Sequence, residues 1–266
     1  MLERVAALLM LVAPGTALAQ AASCSPPAQI PRPRLETASA SEPRRFLPIG
    51  GYTLALSWSP QYCATARGAD SAIQCGGRSG RFGFVLHGLW PEGEGAEWPQ
   101  YCRPAKLLPR NLIRENLCTT PSVQLLQHEW AKHGSCMATR PELYFDLSRA
   151  LYGSIRYPDM NALARRDTLT VADFVAAFVR VNSRLKPHMI RVQTVRGNRL
   201  KEIWLCMDRA MEFVRCPARQ RGAPAASRLR IEPGPAMPRT KKAAPTPPRR
   251  PALILDLDPN AQAPAN

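Results

Sequence analysis

RFGFVLHGLW, residues 81–90, reads as a strand. Phe82, Phe84 and Leu86 fall on one face and Gly83, Val85 and His87 on the other, since successive strand side chains point to opposite sides. The run ends at Gly88, followed by Trp90 and Pro91. A lone histidine on a strand is ordinarily a satisfied core or edge residue. Here Gly88 permits close approach of another backbone or ligand, and Trp90 offers a flat ring to a base or sugar.

Working outward, YTLALSWSP (52–60) has the same alternation through Leu54, Leu56 and Trp58 and predicts a second strand. Helices are expected over 110–118, 122–134, 142–155 and 168–182. In the last, Thr170 caps the start with Asp173 three residues on. HMIRVQTV, a Gly197-Asn198 turn and LKEIWLCM predict two more strands. Strands and helices are intermixed without a βαβ rhythm or a Gly-rich phosphate loop. The expected fold is α+β, a mainly antiparallel β-sheet packed with helices.

HEWAKHGSC, residues 128–136, holds two of the four histidines in the chain. On an α-helix, at about 100° per residue, His128, Glu129, Lys132 and His133 share one broad face. Trp130 turns toward the core, and Gly134 ends the helix. The stretch resembles a zinc-binding H-E-x-x-H helix, but that motif needs histidines at i and i+4. Position i+4 is Lys132, and the second histidine is at i+5. No metal and no cofactor are therefore expected. A bland reading remains, a solvated helix face with ordinary charged neighbours.

The 266 residues carry 36 Lys and Arg against 20 Asp and Glu, a net charge of +16. Such a surface attracts polyanions. The N-terminus has an early arginine, an apolar run over 5–13 and ALA at 17–19, so residues 1–19 read as a signal peptide and the protein as periplasmic or secreted. No stable membrane insertion is expected. Residues 20–48 are Pro-, Ser-, Ala- and Arg-rich and read as a flexible leader, residues 49–216 as the folded domain. Residues 217–266 read as a disordered Pro/Arg-rich basic tail, with one apolar patch at 252–258. Eight cysteines in an exported chain argue for disulfides, whose pairing sequence alone leaves open.

Taken together, FVLHGLWP (84–91) and HEWAKHGSC (128–136) resemble the two catalytic segments of the ribonuclease T(2) family, also called the Rh/T(2)/S-glycoprotein family. LALSWSPQYC resembles its opening strand. The resemblance runs from about Tyr52 to Cys216. It implies a disulfide-stabilised, ribonuclease Rh-like fold and metal-independent endonucleolytic cleavage of RNA, with RNA as the partner and the protein expected to be a monomer. By this resemblance His87 is the general acid, His133 the general base, and His128 a phosphate ligand. Glu129 and Lys132 stabilise the five-coordinate phosphorus and tune the histidines, with Glu129 holding Lys132 or His133. Trp90 and Trp98 line a base pocket. The resemblance also implies Cys102–Cys136. Cys63–Cys75 and Cys206–Cys216 are the next choices, leaving Cys24 and Cys118.

The chemistry suits these residues. RNA carries its own nucleophile, the 2′-hydroxyl. One neutral and one protonated imidazole on opposite sides of phosphorus can accept and deliver the two protons, giving a 2′,3′-cyclic phosphate. The rival reading is an exported RNA- or polyanion-binding protein without catalysis. The intact set of His87, His128, Glu129, Lys132 and His133 argues against it.

Overall fold

The computed structural model describes residues 21–66 and 68–234. The expected signal peptide, and the part of the expected tail over 235–266 with its apolar patch, lie outside the described residues.

In chain order the regular elements are β1 (Ala21–Cys24), β2 (Ile49–Trp58), α1 (Ser59–Thr65), α2 (Ala72–Cys75), β3 (Gly80–Phe82), β4 (Phe84–Gly93), α3 (Arg110–Asn116) and α4 (Val123–Glu129). A π-helical turn (Trp130–Gly134) joins α4 to α5 (Ser135–Met137). Then follow α6 (Pro141–Ser154), α7 (Met160–Ala164), α8 (Val171–Val181), β5 (Ile190–Val195) and β6 (Arg199–Met207). The main sheet is antiparallel in the order β4-β2-β6-β5, and β1 pairs with β3 apart from it. The fold is α+β, as expected. The short helices α1, α2 and α7 were not expected, being too brief to show a helical period.

The core explains the order of the sheet. Leu54, Leu56 and Trp58 on β2 and Phe84, Leu86 and Leu89 on β4 are buried. Phe84 stacks on Tyr157 with ring centroids 5.1 Å apart, and Trp58 lies 4.9 Å from it. Phe178 of α8 meets the same ring edge-on. The α8 cap forms as expected: the Thr170 hydroxyl accepts from the Asp173 N–H, and the Asp173 carboxylate accepts from the Thr170 N–H.

Both flanking segments differ from expectation. The leader is extended rather than loose. Cys24 is disulfide-bonded to Cys118, and Arg114 donates to the Pro27 and Ala28 carbonyls. Ile30 is buried, the Arg34 N–H donates to Gln124, and Arg45 bridges to Gln100 in antiparallel fashion. An extended segment laid along a surface needs no hydrophobic period, because neighbouring side chains satisfy its backbone. Likewise the expected tail is packed as far as residue 234. Leu229 and Ile231 are buried, the Leu200 N–H donates to the Arg230 carbonyl, and the Trp58 indole donates to the Glu232 carbonyl. Its signal was a single pair of apolar residues at i and i+2.

All eight cysteines are paired, as Cys24–Cys118, Cys63–Cys75, Cys102–Cys136 and Cys206–Cys216. Among the described residues no helix is long and apolar enough to cross a membrane.

Phe84 joins the sheet to both aromatic neighbours, so Phe84→Ala should lower stability by about 3–5 kcal/mol. Urea unfolding followed by circular dichroism measures this. A loss below about 1 kcal/mol would mean that the helices do not rest on this ring.

Candidate active site

Two backbone irregularities shape the site. In the β2–β4 ladder Ala55 faces Gly88 and Leu56 faces Leu86, so His87 is an extra, unpaired residue. Such a bulge re-aims the side chain it carries. It turns the imidazole across β2 toward β6, where Nδ1 lies 2.9 Å from Glu202 Oε1. The second irregularity is the π turn. The Ser135 N–H reaches back five residues to the Trp130 carbonyl. An α-helix would set positions i and i+5 well apart, whereas a π turn brings them to one side. The His128 and His133 rings accordingly lie 6.3 Å apart.

This overturns the spacing argument against a metal. Ligand atoms of His128, Glu129 and His133 all lie within 4.8 Å of one another, a set that could hold a divalent cation. The reading of Gly134 as the helix end is also corrected. Its backbone is helical (φ −60°) and the chain continues into α5. A Cβ there would come within 2.6 Å of the Trp130 ring and 2.8 Å of Tyr144, so the glycine serves close packing. Trp130 is buried, as expected.

Glu129 is buried, and Gly88 makes room for it: a Cβ on Gly88 would collide with its carboxylate and come within 2.6 Å of Trp90 Nε1. Trp90 donates its indole N–H to Glu129 Oε2 at 3.0 Å, and the Tyr144 hydroxyl stands 3.4 Å from the same oxygen. The other oxygen, Oε1, is 3.7 Å from His87 Nε2. Burial raises the Glu129 carboxyl to about 7, against the opposing pull of His87 and these donors. Glu129 therefore faces His87 and Trp90 rather than holding Lys132 or His133 as expected, because Lys132 has another partner.

That partner comes from the extended leader. Lys132 Nζ is 2.5 Å from Glu42 Oε1, and the Tyr101 hydroxyl donates to Glu42 Oε2. Glu36 stands 3.6 Å from His128 Nδ1. The hydrogen bond from Lys132 holds the Glu42 carboxyl low. Burial and the Lys132 charge together lower His128, despite Glu36.

The two outer histidines are driven in opposite directions. Burial alone would lower His87, but the hydrogen bond to Glu202 and the charges of Glu129 and Glu202 outweigh it, and the net shift is upward. His133 is pushed well below its ordinary 6.5 by burial and then by Lys132, His128 and His87. Its Nδ1 is buried without a hydrogen-bond partner among the described residues. Glu202, which sequence reasoning missed, is held at about 2: burial raises it, but His87, Trp204 and Lys201 prevail. The alternation of β6 was its only signal, and that does not say what a side chain faces.

The three histidines, Glu129 and Lys132 border one cavity of about 670 Å³. It brings together His87, Trp90, Trp98, His128, Glu129, Lys132 and His133, with Trp204, Gln193, Arg219 and Arg221. The Trp90 ring sits between the histidines, 5.0 Å from His87 and 5.7 Å from His133. Trp98 is 41% exposed, with Arg45 over its ring. His188 lies in the short turn before β5, away from this cavity. Cys102–Cys136 ties the chain beyond β4 to the end of the His133 helix.

A strand-borne and a helix-borne imidazole, tuned apart beside a cation, make a centre for moving protons at an anionic group. Sequence comparison agrees: the model of the Ribonuclease T2 family matches residues 49–216, and the chain belongs to that family. A probable ribonuclease of Haemophilus influenzae is 32% identical over 186 residues, 65% of this chain and 62% of that protein. A ribonuclease of Aeromonas hydrophila is 45% identical over 85 residues, 32% of this chain and 36% of that one. The chain thus spans about three fifths and about one third of the lengths of these relatives. The fold is similar to that of an RNase-related protein from Calystegia sepium, with a TM-score of 0.56 at 22% identity, covering 71% of this chain and 98% of that one.

The shifts carry linked stability. His87 stabilises the fold fully below about 6.5 and ceases to do so as pH rises through its higher folded value. Glu202 contributes above its ordinary 4.5, and that contribution is lost as pH falls toward about 2. Titration followed by histidine NMR should show His87 losing its proton above pH 6.5 and His133 well below it. Two histidines titrating together near 6.5 would contradict this electrostatic description.

Proposed function

We propose that this protein is an exported endoribonuclease that cleaves single-stranded RNA to 2′,3′-cyclic phosphate ends, without a metal ion and with little base preference. The observation that carries this reading is the pair His87 and His133. They come from separate elements, border one cavity and have opposite protonation tendencies. Membership of the Ribonuclease T2 family supports it.

In this reading neutral His133 accepts the 2′-hydroxyl proton as the 2′-oxygen attacks phosphorus. Protonated His87 gives its Nε2 proton to the departing 5′-oxygen. One P–O bond forms, one breaks, and each proton has a stated origin and destination. In the same reading Lys132 and His128, which border the cavity, meet the charge that grows on the phosphoryl oxygens. Trp98, half-exposed on the cavity wall, suits base stacking, which tolerates any base because each has a π-face. Trp90 commits its N–H to Glu129 and offers only its ring. The absence of a free cysteine fits an oxidising compartment.

The test is cleavage of homopolymer RNA in excess EDTA with analysis of the product ends. Cyclic phosphate ends should accumulate, and a 2′-deoxy substrate should stay whole. His87→Ala and His133→Ala should each lower the rate by about 10²–10⁴-fold. RNA binding without turnover in the unaltered protein would favour a polyanion-binding role instead. Activity abolished by the chelator and restored by zinc would move the chemistry to His128, Glu129 and His133 as metal ligands.

A further inference from the structure

His87 is held from behind by a carboxylate that belongs to another strand. Glu202 on β6 is 3% exposed and lies opposite Ser57 of β2 and Gln193 of β5. Its Oε1 accepts from His87 Nδ1 at 2.9 Å and from the Ser57 hydroxyl at 3.0 Å. Its Oε2 accepts from the Trp204 indole at 2.8 Å. Lys201 Nζ is 3.8 Å from Oε1. A carboxylate so surrounded has little freedom to rotate, and neither does the imidazole bonded to it.

We propose that Glu202 is the positioning residue for His87, fixing its ring through Nδ1 so that Nε2 alone carries the transferable proton. This rests on the reading of His87 as the proton donor. Two features of the geometry support it. The bulge at His87 leaves that residue without a partner in the β2–β4 register, so the Glu202 bond replaces the restraint that regular pairing would give. Nε2 meanwhile points toward the cavity side, 3.7 Å from Glu129. A histidine oriented by a carboxylate on one nitrogen works through the other, and the carboxylate also favours the charged ring.

During the proposed step the Nε2 proton leaves with the 5′-oxygen, and His87 ends as the neutral ring protonated on Nδ1. That product keeps its hydrogen bond to Glu202. Without the carboxylate, the neutral ring is free to take its proton on either nitrogen, and the cationic ring loses its nearest counter-charge.

The charged and titratable groups around His87 are Glu202 and Lys201 on β6, with His128, Glu129, Lys132 and His133 from the α4–π segment. Glu92 on β4, Arg219 and Arg221 border the same cavity. Glu202 bonds directly to the ring, so its removal is expected to dominate any change in His87 titration.

Glu202→Gln keeps the size of the side chain and removes the charge. It should lower kcat by about 10–100-fold, with a smaller effect on KM. The alkaline limb of the rate–pH profile should move to lower pH, and the His87 NMR titration should move with it. Added to His87→Ala, the same substitution should cause no further loss of rate. A folded Glu202→Gln protein with the unaltered pH profile and His87 titration would overturn the proposal, even while His87→Ala remained inactive. Full activity in His87→Ala would instead defeat the underlying reading of the proton donor. The unsubstituted protein supplies a test that no folding defect can obscure. Above its titration, His87 should show the ¹⁵N shifts of the Nδ1–H tautomer, and the Nε2–H tautomer would overturn the proposal.

Discussion

Burial of the Glu129 carboxylate is the constraint around which the site is arranged. A carboxylate taken out of water needs donors or a counter-charge. Trp90 supplies one donor, the Tyr144 hydroxyl stands close, and His87 approaches from the strand. These come from β4 and α6, so satisfying one group draws a strand and two helical segments together. Gly88 follows from the same requirement, since any side chain there would occupy the space of the carboxylate. Trp90 and Gly88 are thus as much parts of the helix–strand junction as parts of a substrate surface.

His87 stands between two buried carboxylates of unlike character. Glu129 is raised by burial and Glu202 is lowered by its donors. Across the Trp90 ring, His133 lies among Lys132, His128 and His87, and among the described residues it forms no ion pair with a carboxylate, although Glu129 stands within 4.8 Å. The protonation of each imidazole is therefore set by its neighbours more than by its chemical type.

Much of this was legible in the sequence. Alternation identified β2 and β4, a capping pair identified the start of α8, and the two histidine segments carried the family resemblance. What was hidden has physical causes. The expected face assignment on 81–90 presumed regular pairing, and the bulge that turns His87 toward Glu202 leaves no mark in a pattern of apolar residues. Counting residues along 128–136 presumed an α-helix, and the π turn alters which positions meet. Glu202 lies far along the chain from His87, joined to it only by the strand order β4-β2-β6. The leader looked unstructured because its contacts are made one at a time, by a disulfide, single ion pairs and side-chain bonds to carbonyls. Proline-rich composition describes how such a segment is built and says nothing of what it lies against.

The Cys24–Cys118 linkage also governs what a protease could accomplish. Arg34 and Leu35 are both exposed, Leu35 at 59%, so the bond between them is a candidate site of cleavage. Scission there would release no fragment, for the severed piece would stay hooked through Cys24 to the body of the molecule. The nicked form would travel as one species on a non-reducing gel and come apart with a thiol. Glu36 and Glu42 would remain on the larger piece, so their hold on His128 and Lys132 would outlast the cut.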